Sequence, residues 1–430
     1  MAVDEKLFLY DLAVVSIMKN EAPYVKEWLD YHILAGVQHF YIYDNESPDN
    51  LKEILQPYID KGIVTYKFYP GKARQYEAYN EAFQDYKFFC RYLAFIDADE
   101  FIFPQNDKGI VEVVDEVLKT KPRAGALVAN IYYFGSNNLE TADYTKGVLE
   151  RFTRRAPIDW KPLIGKDKNL PGGTCHVSSI TNPRRVDHFG NPHYAFYFEG
   201  YYAVNTEGKP VQFFFNDPPL VDKMVMNHYS VKSKEEYMTK ISRGTADNKN
   251  NIYNLEKFQK DDHNEVFDDN ILKYRDNHKG KSLETVEEKH HRIYNTLLKK
   301  LSPLFGRNPS KTVFAGKLED FLICLNLSIY LRERMFNEIA GKFFEEMSLV
   351  AINKALSKTL TVADMRLLIG ELPKILQMDY PAVQDIRKSC FRVIPQFMEL
   401  LKTPQSANWR EFVKLQYLLK MLNLVSPDKN

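Results

Sequence analysis

Short apolar runs recur along the first hundred positions, and clusters of polar turn-forming residues separate them. Leu12 to Ile17, His39 to Tyr43, Ile63 to Phe68 and Tyr92 to Ile96 have the β-rich character of strands covered on both faces, as in a mostly parallel sheet. Between them the spacing becomes helical. Tyr24 to Ala35, ended by Gly36, Leu51 to Asp60, closed by Gly62, and roughly Ala73 to Phe88 are predicted as helices. Strands alternating with helices of that length make βαβ units. From about residue 125 to 230 the pattern is strand-rich and aromatic: Ala126 to Phe134, His193 to Val204 and Val211 to Phe215 stand between Pro and Gly turns. These blocks predict an α/β domain over residues 1–245 and a charged connector or extended helix over 246–281. Helical periodicity then returns in Thr285 to Leu301, Lys317 to Ala340, Phe343 to Lys358, Val362 to Leu376, Tyr380 to Leu401 and Trp409 to Leu422, which predicts an all-helical domain over 282–430.

Composition narrows the partners. Lys plus Arg number 58 against 57 Asp plus Glu, a balance that argues against a nucleic-acid binder. The segment Met1 to Tyr10 lacks the features of a signal peptide, and no apolar stretch reaches the roughly 18 residues that span a bilayer, so a cytoplasmic location is expected. Cys90, Cys175, Cys324 and Cys390 are scattered without a Cys-x-x-Cys pair and are expected to be buried thiols. No Gly-x-Gly-x-x-Gly follows the first strand and no Walker-type phosphate loop occurs, which argues against NAD-type dehydrogenases and P-loop ATPases.

The chemistry concentrates in Phe95-Ile96-Asp97-Ala98-Asp99-Glu100-Phe101. Asp97 and Asp99 fall at the carboxyl end of a strand, the edge where open α/β sheets bind ligands. Two carboxylates one residue apart there can offer oxygens to Mg²⁺ or Mn²⁺, and a cation so held can grip a diphosphate. A solvated acidic turn is the competing reading of the pair alone. His228 follows the strand-like run Val221 to Met226, and imidazole joins carboxylates readily around Mn²⁺.

Taken with that segment, Val14-Val15-Ser16-Ile17-Met18-Lys19-Asn20-Glu21, Glu27-Trp28-Leu29-Asp30-Tyr31-His32 and Tyr41-Ile42-Tyr43-Asp44-Asn45-Glu46-Ser47 resemble the opening of GT-A-fold glycosyltransferases, and most nearly family 92 with its bacterial family 2-like relatives. Ile180-Thr181-Asn182-Pro183-Arg184-Arg185-Val186, Asn191-Pro192-His193 and the stretch from Asn227 to Glu236 are similar to that group's later motifs. The resemblance covers residues 11–245 and implies a Rossmann-like nucleotide-diphospho-sugar transferase domain. It implies that Ser16, Lys19, Asn20, Glu21, Asp44, Arg74, Gln75, Asp97 and Lys232 contact the nucleotide, and that Asp97, Asp99 and His228 hold Mn²⁺ or Mg²⁺. Asn182, Arg184 and His193 are assigned to the acceptor side or to architecture. Inversion at the anomeric carbon needs a general base, for which Asp187, Glu199, Asp217 and Glu150 stand as unranked candidates. Lys232, Lys240 and Arg243 have a second reading as a solvated helical face.

The expected function is transfer of a hexose, galactose or similar, from a UDP-sugar to a glycan or lipid-linked glycan in bacterial surface polysaccharide synthesis. For the helical part, docking at the inner face of the cytoplasmic membrane or formation of a homodimer is expected. The alternatives are a catalytically silent nucleotide-binding scaffold and a nucleotidyltransferase, the latter disfavoured because the Gly-rich first loop is absent between Ile17 and Glu27.

Overall fold

The computed structural model describes residues 8–164, 169–191, 193–243, 253–279, 318–333, 338–356 and 361–377, with scattered positions from 284 to 295 and from 385 to 389. The chain divides into two compact units, Tyr10–Lys289 and Met1–Leu9 with His290–Asn430.

The first unit opens as the apolar runs predict: β1 (Tyr10–Met18), α1 (Ala22–Leu34), β2 (His39–Asp44), α2 (Leu51–Asp60), β3 (Val64–Phe68), α3 (Gln75–Tyr86) and β4 (Cys90–Phe95). β1 lies parallel to both β2 and β4, and β2 to β3, so these four strands form the half-sheet that βαβ crossovers generate. A tight turn leads from β4 into β5 (Glu100–Pro104), followed by α4 (Ile110–Leu118) and β6 (Ala124–Tyr133). The ten-stranded sheet then runs, edge to edge, Pro210–Val211, Tyr202–Val204, β6, Val177–Thr181, β4, β1, β2, β3. The strand Met224–His228 joins β6 in parallel and β5 antiparallel.

The run His193 to Val204, expected as one strand, is broken. Tyr194–Tyr197 folds back on Val186–Asn191 as a separate hairpin, and only Tyr202–Val204 enters the main sheet. Gly200 sits between them at φ +84°, a conformation that side chains with a Cβ rarely adopt. Of Val211 to Phe215, only the first residue belongs to a sheet strand. The stretch expected as a connector is folded onto the sheet unit where it is described. Val266–Phe267 pairs with Arg154–Arg155, and Tyr274 packs its ring 5.7 Å from Phe103 and donates its hydroxyl to the Lys108 carbonyl at 3.0 Å. Phe258, Ile271 and Tyr274 are the apolar residues, spaced among charges, that make this burial possible.

The motif Glu27-Trp28-Leu29-Asp30-Tyr31-His32 has a structural explanation. The Trp28 indole donates to the Glu100 carbonyl at 2.8 Å and the Tyr31 hydroxyl to the Ile102 carbonyl at 3.0 Å. His32 Nε2 accepts the Ile102 N–H at 3.2 Å while Nδ1 faces the Trp28 carbonyl at 2.8 Å. Burial pushes the His32 imidazole down to about 3, so it is neutral and can accept and donate at once. One helical face thereby clamps the strand that leaves the Asp-x-Asp turn.

In the second unit, helices Leu318–Glu333 and Glu338–Leu356 pack on each other, with Phe321, Leu322, Ile352 and Ala355 buried. Val362–Gln377 follows. The predicted helices Thr285 to Leu301, Tyr380 to Leu401 and Trp409 to Leu422 lie outside the continuously described residues, as does Cys390. Cys90, Cys175 and Cys324 are buried free thiols, and no described helix is long and apolar enough to cross a membrane.

Candidate active site

Strand register sets the order of residues along the carboxyl edge. β2 ends at Asp44, paired with Met18 at the end of β1, and β4 delivers Asp97 beyond Phe95. The strand Val177–Thr181 runs antiparallel to β4 and β6, so it enters at this same edge, with His176 just before it. β6 arrives with Tyr133, which stands opposite His228.

Asp99 is the electrostatic centre. Its Oδ2 is 2.7 Å from Lys240 Nζ and its Oδ1 is 3.3 Å from His228 Nε2. Burial opposes ionisation, yet Lys240, His228 and Lys232 hold the Asp99 carboxyl well below the usual carboxylate range. Asp97 goes the other way: burial and the neighbouring Asp99 charge raise it, against the pull of His193, His228 and Lys240. Its Oδ1 accepts from Gln75 Nε2 at 2.8 Å and from the Tyr79 hydroxyl at 3.2 Å. Gln75 therefore acts through Asp97.

Glu100 is buried beneath the pair. Its Oε2 accepts the Asp97 N–H at 3.1 Å, and Oε1 is 3.7 Å from His193 Nδ1. Burial, with Asp97 adding and His228 opposing, pushes the Glu100 carboxyl from 4.5 up to about 8. The folded protein thus keeps a proton that the unfolded chain releases, and stability falls as pH rises through that window, by up to about 1.4 kcal/mol per pH unit. The melting temperature is expected to drop between about pH 4.5 and about pH 8, and Glu100→Gln to flatten that drop. Identical pH dependence in both proteins would refute the assignment.

The nucleotide-side candidates divide. Asn20 sits at φ +57° just past β1, with its N–H donated to Ser47 Oγ at 3.1 Å. Lys19 is partly exposed beside it and Glu21 is buried. Ser16 lies buried inside β1, and its Oγ has no hydrogen-bond partner among the described residues. Asp44 does the work of Asp-Asn in turns: Oδ1 accepts the Ser47 N–H at 2.8 Å and Oδ2 the Tyr66 hydroxyl at 2.7 Å. Arg74 pairs with Glu77 at 2.8 Å and lies over the Tyr69 ring. Lys232, at φ +56°, places its ammonium 4.3 Å from the Tyr24 ring centre.

Lys240 is no solvated surface residue. Ser233-Lys234-Glu235-Glu236 starts the helix Lys234–Arg243 with a reciprocal cap, Ser233 N–H to Glu236 Oε2 at 3.1 Å and Glu236 N–H to Ser233 Oγ at 3.3 Å. Lys240, four residues after Glu236, falls on the same inward face.

Of the two readings of Asn182 and Arg184, acceptor side or architecture, the structure supports the second. Because Val177–Thr181 runs antiparallel to β4, its far end emerges at the amino edge, away from Asp99. There Asn182 accepts the Arg184 N–H at 3.2 Å, and Arg184 Nη1 donates to the carbonyls of Cys90 at 2.6 Å and Arg91 at 3.1 Å. Both are architectural. His193 returns to the carboxyl edge because the hairpin that starts at Val186 climbs along α3, where Asn80 pairs with Phe189. Among the base candidates, Glu199 precedes Gly200, whose carbonyl accepts from Arg123 Nε at 2.8 Å at the amino edge, Asp187 is at the hairpin's foot, 3.0 Å from His188, and Glu150 pairs with Arg275 at 3.2 Å. None of these three reaches the site. Asp217 pairs with Lys161 at 3.1 Å, beyond Tyr133.

Glu100, His176 and Tyr79 are the members that sequence reasoning passed over, and Lys240 is one that it read as a solvated face. Tyr79 was within reach as the i+4 neighbour of Gln75; His176 carries no sequence signal. Its Nδ1 is 3.0 Å from the Tyr133 hydroxyl, and burial, with His193 and His228 nearby, pushes its imidazole down to about 4. Asn20 Oδ1, Glu100 Oε1, His176 Nε2 and His228 Nδ1 are buried and have no hydrogen-bond partner among the described residues. Orphaned polar atoms concentrated at one edge are what a polar ligand satisfies.

Among the described residues no three His, Cys, Asp or Glu side chains close on one point to hold an ion. Asp99 and His228 are nonetheless donors that a hard divalent cation accepts, and in this arrangement the Lys240 ammonium occupies Asp99 Oδ2 at 2.7 Å.

This chain has a Rossmann-like mixed sheet of the GT-A type, with this chemistry gathered at its carboxyl edge. It belongs to glycosyltransferase family 92, whose sequence model matches residues 14–292. A family 92 protein of Oryza sativa subsp. japonica is 31% identical over 169 residues, 38% of this chain and 28% of that protein. One from Arabidopsis thaliana is 30% identical over 202 residues, 42% of this chain and 35% of that protein. The galactan beta-1,4-galactosyltransferase GALS2 of Arabidopsis thaliana is 23% identical over 261 residues, 57% of this chain and 45% of its own length. The chain thus spans less than half the length of these relatives. Among solved structures, S. aureus TarS 1-349 aligns with a TM-score of 0.29 at 12% identity, covering 86% of this chain and 93% of that one.

Proposed function

We propose that this enzyme moves a hexose from a UDP-sugar to the hydroxyl of a glycan, with inversion at the anomeric carbon. The observation that carries the reading is Asp99, kept ionised between His228 and Lys240 at the edge where a diphosphate would lie. The relatives named galactan beta-1,4-galactosyltransferases make UDP-galactose the first donor to test and a β-linked galactan the first acceptor, beside the surface glycans suggested by the sequence.

Asp99 and His228 would hold a divalent cation, with Asp97 alongside, and the cation would supply Lewis-acid stabilisation of the leaving diphosphate. The chain's own part is electrostatic. Lys240 and Lys232 bring positive charge to the region of Asp99, where it offsets the negative charge that grows as the sugar–phosphate bond breaks. Gln75 and Tyr79 fix the orientation of Asp97, and the Trp28 and Tyr31 bonds hold the turn beneath it.

The test is UDP release from a panel of UDP-sugars, with and without Mn²⁺ and with and without acceptor. Release from one donor, raised by Mn²⁺ and by a galactan oligosaccharide, is expected. No release, together with no thermal stabilisation by UDP and Mn²⁺, would overturn the reading in favour of a silent scaffold.

A further inference from the structure

Beyond His228, on the side of the edge away from Asp44, an aromatic group continues outward. Tyr133 lies 5.5 Å from the His228 ring, and Trp160 meets Tyr133 edge-on at 5.3 Å. Two of the three tryptophans, Trp28 and Trp160, contrast sharply. Trp28 is wholly buried and its indole N–H is bonded to Glu100. Trp160 is only partly buried, and its indole N–H donates to none of the described residues.

Its seat is nonetheless tightly built. The Trp160 carbonyl accepts the Thr174 N–H at 3.0 Å, and its own N–H donates to the Pro157 carbonyl at 3.0 Å. Gly173, at φ +57°, passes so close that a Cβ there would lie 2.4 Å from the Trp160 carbonyl oxygen and 2.7 Å from its ring. His263 backs the indole with ring centres 4.2 Å apart. A large aromatic ring is therefore fixed in place at the surface, two rings away from the Asp99 partner His228. The adjacent Lys161 and Asp217, paired at 3.1 Å and both well exposed, add a hydrogen-bonding rim.

A partly exposed indole, held by its backbone bonds and by His263, with polar groups at its margin, matches a pyranose, which has a face of C–H groups and a rim of hydroxyls. We propose that Trp160 is the stacking platform for a sugar ring of the acceptor glycan, with Lys161 and Asp217 contacting its hydroxyls. The assignment rests on the transferase reading for what the glycan is used for. It does not need that reading for the contact itself. The strand order supports the direction of the axis: nucleotide-side groups at β1 and β2, Asp97 and Asp99 after β4, then His228 and Tyr133, then Trp160.

The experiment is saturation-transfer NMR on the full chain without donor, using β-1,4-linked galactose and glucose disaccharides as probes. Wild type is expected to saturate the C–H protons of one ring face. Trp160→Ala should reduce that transfer at least fivefold and Trp160→Phe should retain part of it, with the UDP-induced thermal shift unchanged in both. Equal transfer in Trp160→Ala, or none from wild type to either disaccharide, overturns the platform. If Trp160→Ala does not fold, Trp160→Phe decides: weaker transfer supports the proposal and unchanged transfer with an altered UDP shift opposes it. A wild type that binds disaccharide but releases no UDP from any donor would sink the transferase reading and leave the platform standing.

Discussion

Asp99→Asn should lower turnover on the order of a hundred- to a thousandfold, the range seen when one preorganised charge partner is removed from a transition state. The substitution conserves shape and keeps an oxygen near His228. It deletes the negative charge that Lys240 and His228 are arranged around. Two changes should accompany the loss. Thermal stabilisation by Mn²⁺ should shrink, because the ionised oxygen it would use is gone. Stability should also become less sensitive to acid: a carboxyl held below its unfolded value stabilises the fold above that value and loses the contribution as pH falls, and asparagine has none to lose. Steady-state UDP release and an acid melt are the measurements. Unchanged turnover would remove Asp99 from the reaction altogether.

The largest effect on stability is expected at Arg151. Its guanidinium makes two bonds to Glu236, at 2.8 and 2.9 Å, and both side chains are almost fully buried. Glu236 also accepts from the Tyr24 hydroxyl at 3.0 Å and caps its own helix through Ser233. Arg151→Met leaves that carboxylate buried without its cation, a change that costs about 3–5 kcal/mol. Replacing both partners, Arg151→Met with Glu236→Leu, removes the stranded charge and should recover much of the loss, though not the helix cap. Urea midpoints for the single and double variants decide the matter. A single variant as stable as wild type would mean that the pair holds nothing. The helix also carries Lys240, so Arg151→Met should lower turnover even at temperatures where the protein is folded.

What sequence could reveal depended on whether the information was local. The apolar runs of β1 to β4 and the acids after Phe95 are contiguous, so both the parallel half-sheet and its carboxyl edge could be predicted. Asn182 and Arg184 belong to a motif as recognisable as Asp97, but their place depends on the direction in which Val177–Thr181 enters the sheet, and a strand's composition does not encode its direction. Gln75 was singled out for a nucleotide contact, and the structure shows its amide holding Asp97. Lys240 and Trp160 were obscured for opposite reasons. Lys240 sits in a charged stretch that reads as solvated until the cap at Ser233 fixes which face turns inward. Trp160 is a solitary aromatic between Pro157 and Pro162, with no periodicity around it.

The strand Met224–His228 lies between β5 and β6 and borders both, although it is made more than ninety residues after β6 ends. During synthesis, then, the chain exposes two adjacent unsatisfied strand borders until this segment emerges. Non-local pairings of this kind are slow to form and expose edges to aggregation meanwhile. Ribosome-bound chains halted short of residue 224 would carry the Asp-x-Asp turn without His228 or Lys240 opposite it. Catalytic competence should therefore appear late, once Met224–His228 has docked and the helix that carries Lys240 has formed.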